Sequence, residues 1–192
     1  MLKVIMAAGA LALSGSGALA QAVSPTNTGS MSSMDTGTTP IAGQNEPAFV
    51  MAASDANLYQ IKAAQFAVTK AQRDDVKAFA KRVQTEAQIA QKALMAALRN
   101  DQRTIKAPSS SLSSDRAALV KLLQKTPRGS FDNLYLSQSA QVLQATWAIN
   151  KGYAQDGTDP ALKQVAGTAV PTLEQELTNG KALLPSALTG GQ

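Results

Sequence analysis

The stretch DDVKAFAKRVQTEAQIAQKALMAALRN, residues 74–100, decides the fold. Val76, Phe79, Ala80, Val83, Ala87, Ala90, Leu94 and Ala97 recur at three- and four-residue spacing and form one continuous apolar stripe, which is the pattern of an amphipathic helix. Asp74 and Asp75 place negative charge in its first turn, where the helix dipole favours it. The helix is expected to end between Asn100 and Lys106, ahead of Pro108.

Similar segments flank this one. Upstream, Asn45 or Glu46 caps a helix with Pro47 in its first turn, and Met51, Leu58, Ile61, Gln65 and Val68 follow at helical spacing. Downstream, Ala107 to Ser114 is a loop of Pro and Ser. Ser114 or Asp115 caps a short helix through Leu119, Leu122 and Leu123, which Thr126 to Ser130 breaks. Ser130 is expected to cap a third long helix, with Leu134, Tyr135, Val142, Leu143, Ile149 and Tyr153 inward. Gly157-Thr158-Asp159-Pro160 then combines a helix stop, a cap and a first-turn proline. The last helix carries Leu162, Val165, Ala169, Leu173 and Leu177, with Pro171 inside it and a kink expected near Gly167. Four long amphipathic segments, two short connections and one longer crossover predict an all-α, antiparallel four-helix bundle over residues 45–185, with one short extra helix in the crossover.

The ends of the chain read differently. Lys3, the apolar run Val4 to Leu13 and Ala18-Leu19-Ala20 match the three parts of a secretory signal over residues 1–20. The apolar run is too short for a membrane span and is broken by Ser14 to Gly17. No cysteine follows the cleavage site to carry a lipid anchor. Residues 21–44 are rich in Ser, Thr, Gly and Pro, with Asp35 their single charge, so they are expected to form a disordered tail. Residues 186–192 are expected to be a flexible C-terminus. The expected location is the bacterial periplasm or the exterior.

The chain contains neither histidine nor cysteine. Ser-His-Asp and Cys-His catalysis, ordinary zinc sites and haem ligation by either residue are thereby excluded. The full chain carries a formal charge of +5. Lys62 to Lys106 holds ten basic residues against four acids, whereas Arg128 to Gln192 holds four against five. The positive charge is therefore concentrated on the first helix pair. Lys77, Lys81, Arg82, Lys92 and Arg99 offer a face for an anionic surface.

Three stretches carry a family resemblance. The first is Phe49 to Ala56 followed by Leu58-Tyr59-Gln60-Ile61, and the second is Val76 to Val83. The third pairs Phe131-Asp132-x-x-Tyr135-Leu136 with Pro171-Thr172-Leu173. Together they resemble the bacterial exported domain-of-unknown-function 4142 family over about Phe49 to Leu184. That resemblance implies a ferritin-like four-helix bundle in the periplasm and no established activity. Many members carry an Asp-His pair on the second helix, a histidine on the third, and another after Pro-x-Leu on the last. The matching positions here read Glu86-Ala87, Leu143 and Glu176.

Glu86 edges onto the apolar stripe and Glu176 lies between Leu173 and Leu177 on another, so these two are the candidate metal ligands. Ferritin-like di-metal sites also need Glu-x-x-His, which this chain cannot supply. Asp55 and Asp132 would add oxygens only if they reached the same layer. The alternatives are an ion pair of Glu86 with Arg82, four residues earlier, and a solvated face for Glu174 and Glu176. Trp147, the only tryptophan, is either a groove anchor or an inter-helix packing residue.

These readings favour a non-catalytic interaction, structural or envelope-stress bundle with no catalytic residue and no cofactor. The alternatives are a ferritin-like protein holding a divalent metal on Glu86 and Glu176, and a binder of anionic envelope surfaces. The expected partners are an envelope protein or such a surface, and not nucleic acid. An alanine-rich bundle surface also suits a homodimer.

Overall fold

The computed structural model describes residues 36, 38–99 and 104–185. The signal at 1–20, most of the tail, the stretch 100–103 and the C-terminus at 186–192 lie outside the described residues. Every regular element among those described is a helix: α1 Glu46–Lys70, α2 Asp74–Ala97, α3 Ser114–Lys125, α4 Arg128–Asp156 and α5 Pro160–Leu183.

Sequence chemistry explains most of the boundaries. The side chains of Asn45, Ser113 and Asp159 accept from the backbone N–H groups of Ala48, Arg116 and Leu162, satisfying donors that a helix start leaves open. Pro47 and Pro160 occupy first-turn positions, where proline's missing N–H costs nothing. Ser130 does not cap α4. The helix begins at Arg128 with Pro127 at its cap, because proline holds φ near the value the entry requires. The last helix runs uninterrupted through Pro171.

Contacts place the four long helices in a ring in which α1 touches α2 and α4, and α5 touches α2 and α4. Phe49 stacks on Tyr153 at 4.0 Å, whereas Lys70 lies 5.3 Å over the Phe131 ring. The start of α1 therefore meets the end of α4, and the reverse, so these two run in opposite directions. Gly180 of α5 sits against Phe79, early in α2. The three residues 71–73 and the three residues 157–159 turn the chain within each hairpin. The crossover carrying α3 joins α2 to α4 along the bundle.

One expected face is corrected. On α1, Met51 is 65 % exposed, and Leu58, Ile61 and Val68 are only half-buried while Gln65 is exposed. The buried side is instead Phe49, Ala53, Asn57, Gln60, Ala63, Ala64 and Ala67 with their neighbours. Small residues on that side let the helices approach closely, and the amides find partners inside. On α3, Leu122 is 49 % exposed while Val120 and Leu123 are buried.

Part of the stretch whose composition suggests a disordered tail lies on α4. Ile41 N–H donates to Ala148 O at 3.0 Å. Gly43 N–H donates to Asp156 Oδ2 at 2.8 Å, and Gln44 Nε2 donates to Ile149 O at 3.0 Å. A Cβ on Gly152 would come within 1.9 Å of Ile41 O, so glycine is what admits this strap. Each of these hydrogen bonds uses at least one backbone group, which composition does not reveal.

Candidate functional site

A cavity of about 380 Å³ lies inside the ring of helices. Its inner wall is polar and belongs to α1 and α4: Asn57, Gln60, Thr146 and Asn150, all buried. Its outer wall is largely small and apolar. Ala87, Ala90, Ala93 and Leu94 come from α2, and Val165, Ala169 and Leu173 from α5. Ile89, Ala93, Gln164 and Thr168 line it and are also exposed, so its mouth is the seam between α2 and α5. Alanine makes the space: a helix carrying it at facing positions brings backbone near without side-chain volume to fill the gap.

Glu86 and Glu176 both line this cavity and are the only charged residues to do so among the described residues. Glu176 is buried at 2 % exposure, which corrects the solvated-face reading for this residue. Its Oε1 has no hydrogen-bond partner among the described residues. Burial pushes its carboxyl up to about 7, the neighbouring Glu86 charge pushes the same way, and Arg82 opposes them. Desolvation disfavours the charged form, and a like charge adds to that. Burial also raises the Tyr135 phenol, with the Glu176 charge contributing.

The inner wall is wired together. Gln60 Nε2 donates to Thr146 Oγ1 at 3.3 Å, Thr146 Oγ1 donates to Val142 O at 2.6 Å, and Asn150 Nδ2 donates to Thr146 O at 2.8 Å. Gln91 Nε2 donates to Ser54 Oγ at 2.9 Å, and Gln91 Oε1 accepts from Asn57 Nδ2 at 3.3 Å. Beyond the cavity, Tyr59 OH donates to Gln138 Oε1 at 2.7 Å. These residues escape a search for carboxylates. Their signal is polar type at inward spacing: Asn57 and Gln60 are three apart, and Thr146 and Asn150 four apart.

Asp55 and Asp132 do not join the site. Asp55 accepts from Ser113 N–H at 2.8 Å and Ser113 Oγ at 2.7 Å. Asp132 accepts from the N–H groups of Gln72 and Arg73 in the α1–α2 turn. Among the described residues, no three His, Cys, Asp or Glu side chains gather to hold a metal ion. The donor set therefore does not fit a ferritin-like di-metal centre, which takes carboxylates from all four helices and two imidazoles. Trp147 is buried, and its Nε1 donates to Glu174 Oε1 at 3.0 Å; it ties α4 to α5 and does not line the cavity.

On α2, Lys77 is paired with Asp74 at 2.8 Å, while Lys81, Arg82 and Lys92, and Arg99 just past the helix end, are exposed. No helix among the described residues is long and apolar enough to cross a membrane.

The family described as Domain of unknown function (DUF4142) matches residues 31–183. That is most of the chain, and the chain belongs to this family. Glu86, Ala87 and Glu176, three of the positions at which the resemblance places imidazoles or their partner in other members, all line the cavity, and Leu143 does not. No curated protein and no solved structure matches the chain.

Proposed function

We propose that this member of the domain-of-unknown-function 4142 family is an exported, non-catalytic bundle that holds a small molecule between α2 and α5. The observation that carries the reading is the Glu176 carboxylate, buried on the cavity wall with Oε1 unpartnered among the described residues. A buried acceptor left unmade costs roughly 1–3 kcal/mol, and more when charged, so a ligand that engages it gains that much. The volume of about 380 Å³ falls in the range of small-molecule pockets. Export rests on the leader-like residues 1–20, and the periplasm is the proposed location.

The test is native mass spectrometry and elemental analysis of the full chain recovered from the cell envelope fraction without chelator. Wild type is expected to carry or take up a small organic ligand. Ala90→Phe, which fills the cavity, is expected to keep its helicity and lose that ligand. Equal uptake by both proteins would overturn the reading. A stoichiometric metal ion lost in Glu86→Gln or Glu176→Gln would replace it with the metal-binding alternative.

The exposed cations of α2 favour a second reading, attachment to an anionic envelope surface. It predicts sedimentation with anionic vesicles that weakens as salt rises.

A further inference from the structure

We infer that the cavity's ligand is an organic monocation, an ammonium group on a compact apolar body, with the ammonium seated against Glu176 and Glu86. This rests on the ligand-binding reading above and names the class of molecule it would take.

Charge comes first. The chain as a whole is basic, at +5, yet the charged residues lining the cavity are Glu86 and Glu176, both acids. The site is a negative spot inside a positive protein. Arg82 is not a lining residue; it is exposed and lies 5.8 Å over the Phe79 ring. An anionic ligand would meet like charge in a partly desolvated space.

Hydrogen-bonding capacity comes second. An ammonium group carries only donors, and a carboxylate oxygen only accepts. Glu176 Oε1 is the unpartnered acceptor. A neutral apolar guest would leave it without a donor, which is the costly arrangement. A hard divalent cation would want about six to eight oxygens, and the carboxylates at hand are two.

Shape comes third. Ala90, Leu94, Val165 and Leu173 give the guest an apolar wall beyond the carboxylates. That wall suits an alkyl or aryl body.

The experiment is calorimetric titration of the full chain at constant ionic strength with hexylammonium, hexanol, hexanoate, manganese and calcium. Hexylammonium is expected to bind at least about tenfold more tightly than hexanol, the worth of a hydrogen bond to a charged group, and hexanoate not at all. Glu176→Gln, a neutral isostere whose folding is checked by circular dichroism, is expected to erase that preference while hexanol still binds. Hexanol binding as well as the amine, or an amine preference that survives Glu176→Gln, would overturn the cation inference and leave the ligand-binding reading standing. One manganese or calcium ion per chain that displaces the amine would overturn it in favour of a metal site. Failure of every probe to bind, with Ala90→Phe behaving as wild type, would overturn both readings.

Discussion

Two regions of the bundle bury acids in opposite ways. At the end where α1 turns into α2, Asp132 is 8 % exposed and accepts from two backbone N–H groups, the closest at 2.9 Å. Nearer the middle of the bundle, on the cavity wall, Glu176 is 2 % exposed and its Oε1 has no partner among the described residues. Their packing differs in the same sense. Around Asp132, Phe131 stacks on Tyr135 at 6.2 Å and Tyr135 meets Phe79 edge-on at 6.3 Å. Gly180 leaves room for Phe79, since a Cβ there would lie 3.1 Å from its ring. Beyond Glu176, alanines face a cavity. A buried carboxylate whose lone pairs are satisfied by the backbone is part of the scaffold. One left over beside open space is a place for something else to bind.

If the first end is scaffold, truncation there should have the largest effect. Phe131→Ala removes a ring with 0 % exposure from the main core cluster, and is expected to cost about 3–5 kcal/mol. Chemical denaturation measures it. A loss below about 1 kcal/mol would show that this end is not the packed one.

The two acids should then respond with opposite sign when their charge is removed. Asp132→Asn swaps one accepting oxygen for an NH₂ group that faces backbone donors, and is expected to destabilise by roughly 1–3 kcal/mol. Glu176→Gln should do the reverse at alkaline pH. The Glu176 carboxyl is raised to about 7 from an ordinary 4.5, so between those values the folded state holds the proton more tightly than the unfolded chain. Its contribution is fully present below the unfolded value and is lost as pH rises through about 7. The protein without ligand should therefore lose stability from pH 5 to pH 8, by at most about 1.4 kcal/mol per pH unit. Glu176→Gln should flatten that slope and be the more stable protein at pH 8. Melting curves across this range decide it, and a wild-type profile with no such fall would remove the contrast.

Tyr59→Phe probes the buried hydrogen bond between α1 and α4. It deletes the donor to Gln138 Oε1 from a buried pair and should cost about 1–2 kcal/mol, with the cavity's ligand uptake unchanged. Loss of uptake would mean that this pair and the cavity act as one unit.

The legibility of the chain follows the same division. The α2 stripe was readable because its inward positions are the large or apolar ones, Val76, Phe79, Val83 and Leu94. The α1 face was not, because its inward positions besides Phe49, Val50 and Tyr59 are Ala, Ser, Asn and Gln, while Met51 and Ile61 sit outside or at the flank. Hydrophobicity ranks those residues the wrong way round when small size and internal hydrogen bonds decide which side packs. Glu86 and Glu176 could be singled out from their place on stripes, and they do reach one cavity. The cavity itself was not legible, since it exists only where small residues of two helices coincide across a seam. The strap at 38–44 was hidden for another reason: each hydrogen bond that holds it to α4 uses a backbone group, joined by the side chains of Gln44 and Asp156 and by the room that Gly152 leaves.

The smallest expected effect is also the most discriminating, because it applies one change to both regions. Ala64 and Ala90 are both helical alanines. Ala64 has 0 % exposure within the main core cluster, and Ala90 is half-buried on the cavity wall. Leucine at Ala64 has nowhere to go without displacing neighbours, and overpacking of that kind costs about 1–3 kcal/mol. Leucine at Ala90 extends into existing space. It trades an ordering cost for buried apolar area, so the change should stay within about 1 kcal/mol of zero. Equal destabilisation by the two substitutions would mean that the α2–α5 seam is as tightly packed as the core. Tolerance at Ala90 alone identifies that seam as the part of the molecule whose volume is kept for a guest.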